Sequence, residues 1–109
     1  MSKSVLLSKS MKEATRSETH VDLGDDVLNT LWPVVQQKAS SYPNMWRIVQ
    51  DMYGDFQIKP TELAALSKEI PPLKASFANQ TKVVMWLEVL NTLSTMGTQL
   101  DLAMFGIAD

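Results

Sequence analysis

The stretch Thr81–Met96, TKVVMWLEVLNTLSTM, decides the fold class because it contains a long run of apolar residues at helical spacing. At roughly 100° per residue, the turn of an α-helix, the apolar side chains fill an arc of about 200°. A helix at the surface of a domain needs a narrower apolar face, so we expect this helix to be central, with neighbours on two sides. The arc is made of Val83, Met85, Trp86, Leu87, Val89, Leu90, Leu93 and Met96.

Upstream of this stretch, apolar periodicity predicts a first helix from Asp25 or Asp26 to about Ser40. Either aspartate is a good N-cap residue. Pro33 removes one backbone hydrogen bond, but it lies on the polar face, where a helix bends readily. We therefore predict one kinked helix, with two short helices joined at Trp32 as the alternative.

A second helix is predicted from Asn44 to about Tyr53, after the helix-breaking run Ser40-Ser41-Tyr42-Pro43. The link that follows, residues 55–58, carries Phe56 and Ile58 at alternating positions. This spacing is typical of an extended segment in which both side chains point to the same side. We expect both side chains to enter the core.

A third helix is predicted to begin near Pro60 and to end before Pro71-Pro72, since proline is favoured in the first turn and disrupts a helix interior. Gly97 is a suitable C-cap for the central helix. The last twelve residues, TQLDLAMFGIAD, are too apolar for a free tail, and we expect them to form one more short helix.

These segments together predict an all-α fold, a single-domain bundle of about four to five helices around the central helix 81–96. Residues 1–20 are rich in serine and charge, and are expected to form a loosely held or mobile N-terminal segment. Residues 21–109 are expected to form a single helical domain.

The composition excludes several classes of function. The 109 residues include no cysteine, which rules out disulfides, thiolate metal sites and thiol catalysis. Residues 21–109 contain six basic and ten acidic residues, a net charge of −4, which disfavours nucleic-acid binding and favours a basic partner. No window has the apolar length of a membrane helix, and Val5-Leu6-Leu7 is too short for a signal-peptide core. We therefore expect a cytoplasmic protein with no membrane contact.

The one cluster of metal-binding or catalytic residue types is His20, Asp22, Asp25 and Asp26. Imidazole and carboxylate groups bind divalent metals, but this spacing matches neither the calcium-loop pattern nor H-E-x-x-H. Capping and the helix dipole already account for acidic residues at a helix N-terminus. His20 is the only histidine, and no G-x-S-x-G sequence supplies a nucleophile. We therefore expect no metal, no cofactor and no enzymatic activity.

The three tryptophans lie on the apolar arcs of their predicted helices, so core packing is the expected role. Trp32 lies at the edge of its arc, next to Gln36, and we expect it to be the most exposed of the three. An exposed tryptophan among acidic residues suits a protein–protein contact.

Part of the chain resembles small bacterial immunity proteins. The similarity is carried by Leu31-Trp32, Tyr42-Pro43, Met52-Tyr53-Gly54-Asp55-Phe56, Glu62-Leu63 and Glu69-Ile70. Immunity proteins neutralise a toxin made beside them, usually by covering its active site. The resemblance therefore implies a cognate toxin as the protein partner.

On this hypothesis, acidic side chains meet basic groups on the toxin surface, and Trp32 is an apolar anchor. The candidate partner-binding residues are Asp22, Asp25, Asp26, Trp32, Asp51, Asp55 and Glu62. The alternative is a secretion chaperone or adaptor that cradles an apolar segment of its client. Salt distinguishes the two, because charge pairing weakens as ionic strength rises and apolar contact does not.

Overall fold

The computed structural model describes residues 2–16, 20–50 and 54–108, and within these ranges it contains a four-stranded antiparallel sheet and five helices. The all-α bundle predicted from the sequence is therefore wrong, and the fold is mixed α/β. The strands are β1 (Ser2–Ser8), β2 (Val21–Gly24), β3 (Phe56–Ile58) and β4 (Ala103–Ala108). The helices are α1 (Met11–Arg16), α2 (Asp25–Gln37), α3 (Pro43–Val49), α4 (Pro60–Ser76) and α5 (Thr81–Leu100).

The two ends of the chain meet in the middle of the sheet. The strand order is β2-β1-β4-β3, and β1 pairs with β4 from Lys3 opposite Ala108 to Ser8 opposite Ala103. Residues 2–8, expected to be loosely held, therefore form an inner strand. The short helix expected near the C-terminus is also wrong, because α5 continues to Leu100 and β4 follows it.

Helices cover the two faces of the sheet unequally. On one face, Val5, Leu23, Ile58 and Met104 join the main core together with buried residues of α2 to α5. On the other face, a small cluster of Leu6, Ala14, Ala103 and Phe105 is covered by α1. Both inner strands are therefore buried on both sides, which produces short apolar runs rather than the alternation by which strands are recognised in a sequence.

The helix predicted at 81–96 is present and longer than expected, spanning Thr81–Leu100. Gly97, the expected C-cap, instead lies buried inside α5, where a Cβ atom would overlap Leu63 Cδ1 and lie 2.9 Å from Leu102 O. Glycine therefore allows α4 and the start of β4 to approach α5 closely. The helix ends at Leu100, and its C-cap residue Asp101 adopts the left-handed conformation with φ of 55°.

Prolines interrupt neither α2 nor α4. The prediction of one helix across Pro33 is confirmed, whereas the prediction that Pro71-Pro72 ends the third helix is wrong. All three prolines are exposed, so the backbone carbonyls that lose their donors lie on the outer side of each helix. Ile70 and Leu73, which flank Pro71-Pro72, are buried and anchor that part of α4 in the core.

The N-terminus of α3 is held by a carboxylate from α4. Glu69, which is 7% exposed, accepts hydrogen bonds from the backbone N–H of Met45 at 3.0 Å and from Asn44 Nδ2 at 2.9 Å. It also accepts the backbone N–H of Asn44 at 3.2 Å. These donors are among those that a helix leaves unsatisfied at its N-terminus. The described part of α3 ends at Val49, and residues 51–53, including Asp51, lie outside the described residues.

The short link between α3 and α4 behaves as the sequence predicted. Phe56 and Ile58 are buried in β3, and Gln57 between them is exposed. Opposite Phe56, β4 carries Gly106, where a Cβ atom would overlap the Phe56 ring. None of the helices in the described ranges is long and apolar enough to cross a membrane.

We predict that Glu69→Ala destabilises the protein by about 2–3 kcal/mol, because buried N–H groups of α3 lose a charged acceptor. Glu69→Gln, which keeps one carbonyl oxygen, is expected to lose less. The measurement is the free energy of unfolding in urea. The matched control is Glu88→Ala, because Glu88 is exposed and pairs with Lys74 at 3.5 Å. The control is expected to lose less than about 0.5 kcal/mol. A loss in Glu69→Ala no larger than that of the control would contradict the role of Glu69.

Candidate functional site

The structure separates the predicted partner-binding residues into two groups at opposite edges of the sheet. Asp22, Asp25 and Asp26 lie where β2 leads into α2, whereas Asp55 and Glu62 lie beside β3. Since β2 and β3 are the two edge strands, three strand spacings, or about 14 Å, separate them. The described acidic residues therefore do not form one continuous patch.

The acidic residues beside β3 are engaged within the fold. Asp55 Oδ1 accepts the backbone N–H of Ala108 at 2.8 Å. Glu62 accepts the backbone N–H of Lys59 at 3.1 Å and pairs with Arg47 at 2.8 Å. The Lys59 N–H, together with the Arg47 charge, lowers the pKa of the Glu62 carboxyl. Asp55 therefore holds the end of β4 and Glu62 holds the start of α4, so both residues have a structural role.

Near the other edge, a groove of about 310 Å³ lies between the β2–α2 junction and α5. We call it the acid-rimmed groove. Its lining residues are Asp22, Gly24, Asp26, Val27, Lys82, Met85, Trp86 and Val89. The sequence pointed to the aspartates but not to the apolar side of the groove, because no local pattern indicates that α5 lies beside β2.

An ion pair crosses one end of the acid-rimmed groove. Lys82 Nζ lies 2.9 Å from Asp26 Oδ2, and Asp26 Oδ1 accepts the backbone N–H of Val27 at 2.9 Å. The hydrogen bond from Lys82 is the largest cause of the lowered pKa of Asp26, and the pKa of Lys82 is correspondingly raised. Asp25 or Asp26 was expected to cap α2, but the N-cap residue is Gly24, so this prediction is wrong.

Asp22 is the more available carboxylate of the groove. Its side chain is 67% exposed and lies 3.2 Å from Nε2 of His20. Asp25, in the first turn of α2, is half-buried and does not line the groove. The groove therefore presents Asp22 to solvent, while the charge of Asp26 is balanced by Lys82.

Aromatic and aliphatic groups form the apolar side of the groove. Trp86 is 7% exposed, as expected for a core residue, and its indole Nε1 has no hydrogen-bond acceptor within the described part of the chain. Met85 and Val89 are exposed. Trp32 is 37% exposed and Trp46 half-buried, so the expectation that Trp32 is the most exposed tryptophan is confirmed.

The groove continues into a longer apolar surface that the sequence did not predict. We call this surface the α5 flank, and it consists of Met85, Val89, Leu93, Met96 and Leu100. Leu93 is partly buried and the other four are exposed. These side chains belong to the broad apolar arc of α5, which was expected to have neighbours on two sides. The other side of that arc is buried in the core, whereas this side faces solvent.

Two arrangements that metal binding or nucleophilic catalysis would require are not seen among the described residues. Within the described ranges, no three His, Cys, Asp or Glu side chains are grouped as metal ligands would be. Ser4 lies opposite Asp22 in the sheet and shares a hollow of about 170 Å³ with His20. Among the described contacts, however, no hydrogen bond joins Ser4 to His20, as a nucleophile and its base would require.

We predict that the carboxyl of Asp26 titrates below its ordinary pKa of 3.8, and that Lys82→Met moves it back towards that value. The reason is that the ammonium group stabilises the ionised carboxylate. The measurement is an NMR titration of the Asp26 side chain. The matched control is Lys74→Met, which removes a lysine of α4 that pairs with Glu88 and leaves Asp26 untouched. An unchanged Asp26 pKa in Lys82→Met would contradict this ion pair.

Comparison of the chain with protein-family models, with curated proteins and with solved structures gave no significant match.

Proposed function

We propose that this protein is a small acidic protein-binding domain, most specifically an immunity protein that neutralises a cognate toxin by direct binding. The observation that carries the proposal is the acid-rimmed groove, in which the exposed Asp22 carboxylate lies beside exposed apolar side chains of α5. The proposal includes a cytoplasmic location and requires neither a metal nor a cofactor.

The chemistry of the groove favours a basic side chain with an apolar stem. Arginine and lysine place their methylene groups on apolar surface and keep the charged end near acceptors. Here Met85 and Val89 offer the apolar surface, and Asp22 offers the acceptor.

Charge supports the same class of partner. Residues 21–109 carry a net charge of −4, which attracts a positively charged surface and speeds association. A toxin that cuts nucleic acid needs a basic cleft to hold phosphate groups. An acidic protein whose groove binds a basic side chain at the edge of such a cleft would block it. Of the residues predicted for this role, Asp22 and Asp26 line the groove, whereas Asp55 and Glu62 have the structural contacts described above.

We predict that the wild-type protein, used as bait in lysate of its source cell, captures one protein in a stoichiometric complex that weakens as salt is raised. Asp22→Lys and Met85→Lys are expected to lose this protein, because each places a positive charge in the acid-rimmed groove. The matched control bait is Glu88→Lys. It makes the same charge reversal as Asp22→Lys, but at an exposed position of α5 outside the groove.

The captured protein is then expressed alone and together with each bait. We expect growth to stop when it is expressed alone, and to recover with the wild type and Glu88→Lys but not with Asp22→Lys. A harmless captured protein would contradict the toxin-inhibitor role. Equal rescue by all baits would contradict the groove as its site. Several clients that resist high salt would instead favour the chaperone or adaptor.

A further inference from the structure

We propose that the α5 flank is a self-association surface, on which a second copy of this chain packs its own α5 flank in antiparallel orientation. This inference goes beyond the proposed function and does not rest on it. The two surfaces share Met85 and Val89, so a second copy and the partner protein compete for the groove.

The spacing of the flank is self-complementary. Its residues Met85, Val89, Leu93, Met96 and Leu100 follow one another at steps of four, four, three and four positions. On a helix these positions fall within an arc of about 80° and extend over about 22 Å. When a second α5 runs in the opposite direction about an axis between residues 92 and 93, Met85 faces Leu100 and Val89 faces Met96 of the other copy. Every flank residue then meets an apolar partner.

Charges at the two ends of α5 select the antiparallel orientation. Lys82 lies in the first turn of α5, where it pairs with Asp26 of its own chain at 2.9 Å while its side chain stays 81% exposed. The exposed Asp101 follows the last turn. An antiparallel pair brings Lys82 of each copy close to Asp101 of the other. A parallel pair would instead place the two Asp101 carboxylates together, which is unfavourable.

A hollow next to the flank gives the second copy a place to insert side chains. It measures about 240 Å³ and lies between α5 and strands β1 and β2. Leu93 and Met96 line it from α5, and Leu7 and Val21 line it from the strands. Because the hollow lies near the middle of the flank, the apolar groups of a second copy around the two-fold axis can pack into it. A two-fold symmetric contact of this kind is the commonest arrangement in homo-oligomers.

Sedimentation velocity over a range of protein concentrations tests self-association. For the wild type, we expect the weight-average mass to rise from 12.2 kDa towards twice that value between about 1 µM and about 1 mM, the range of weak interfaces. Met96→Glu is expected to weaken the dimer at least tenfold, because two carboxylates enter an apolar contact. The matched control is Thr95→Glu, an exposed position on the same helix that lies outside the flank. Circular dichroism establishes that each variant is folded.

Engineered cysteines test the orientation independently, since the chain has no cysteine of its own. Thr92→Cys, next to the predicted axis, should form a disulfide-linked dimer on mild oxidation. Met85→Cys alone should not, because the two copies of residue 85 lie about 22 Å apart. A mixture of Met85→Cys with Leu100→Cys should cross-link between the two variants.

Three results would overturn the proposal. The first is a wild-type protein that stays monomeric throughout the concentration range. The second is equal dissociation by Met96→Glu and Thr95→Glu, and the third is efficient cross-linking of Met85→Cys to itself. Measuring both partner capture and dimer formation separates this inference from the proposed function. Asp22→Lys should abolish partner capture and keep the dimer. Met96→Glu, which is outside the acid-rimmed groove, should abolish the dimer and keep partner capture.

Discussion

The pairing of β1 with β4 is the contact on which the rest of this structure depends. It joins residues near the two ends of the chain, from Lys3 opposite Ala108 to Ser8 opposite Ala103. Without it, β2 and β3 would have no neighbour, because each pairs only with one of these inner strands in the described sheet. The sheet in turn provides the surface on which α2 to α5 bury their apolar residues. A contact of such long range makes the helices interdependent rather than separately stable.

This arrangement also explains why α5 keeps an uncovered apolar flank. In an all-α bundle, the broad apolar arc of α5 would be buried by helices on two sides. In the observed fold, one side of the arc packs in the main core, while the other lies beside β2, a short edge strand that does not extend over it. Exposed apolar surface next to a carboxylate is the common origin of both proposals, a basic protein partner at the groove and a second copy along the helix.

Local patterns predicted some local features correctly, but not the end of α4 or the C-cap of α5. The helix across Pro33, the buried Phe56 and Ile58, and the buried centre of α5 were all read from periodicity and turn residues. The sheet was missed because β1 and β4 are buried on both faces, so Val5-Leu6-Leu7 does not alternate with polar residues. Their partners are also about a hundred residues apart in sequence, which no local window detects. The candidate site was predicted only as far as its carboxylates, since its apolar side depends on where the sheet positions α5.

Hydrogen exchange of the backbone amides of β1 is the most direct test of the pairing between β1 and β4. Val5 pairs with Val21 on one side and Gly106 on the other, so its amide lies in the middle of the sheet. We expect the amides of Val5 and Leu6 to exchange only on global unfolding, with a protection free energy equal to the stability measured in urea. Exchange of these amides at the rate of an unstructured peptide would contradict the pairing of the chain ends, and with it the position of α5 and both proposed surfaces.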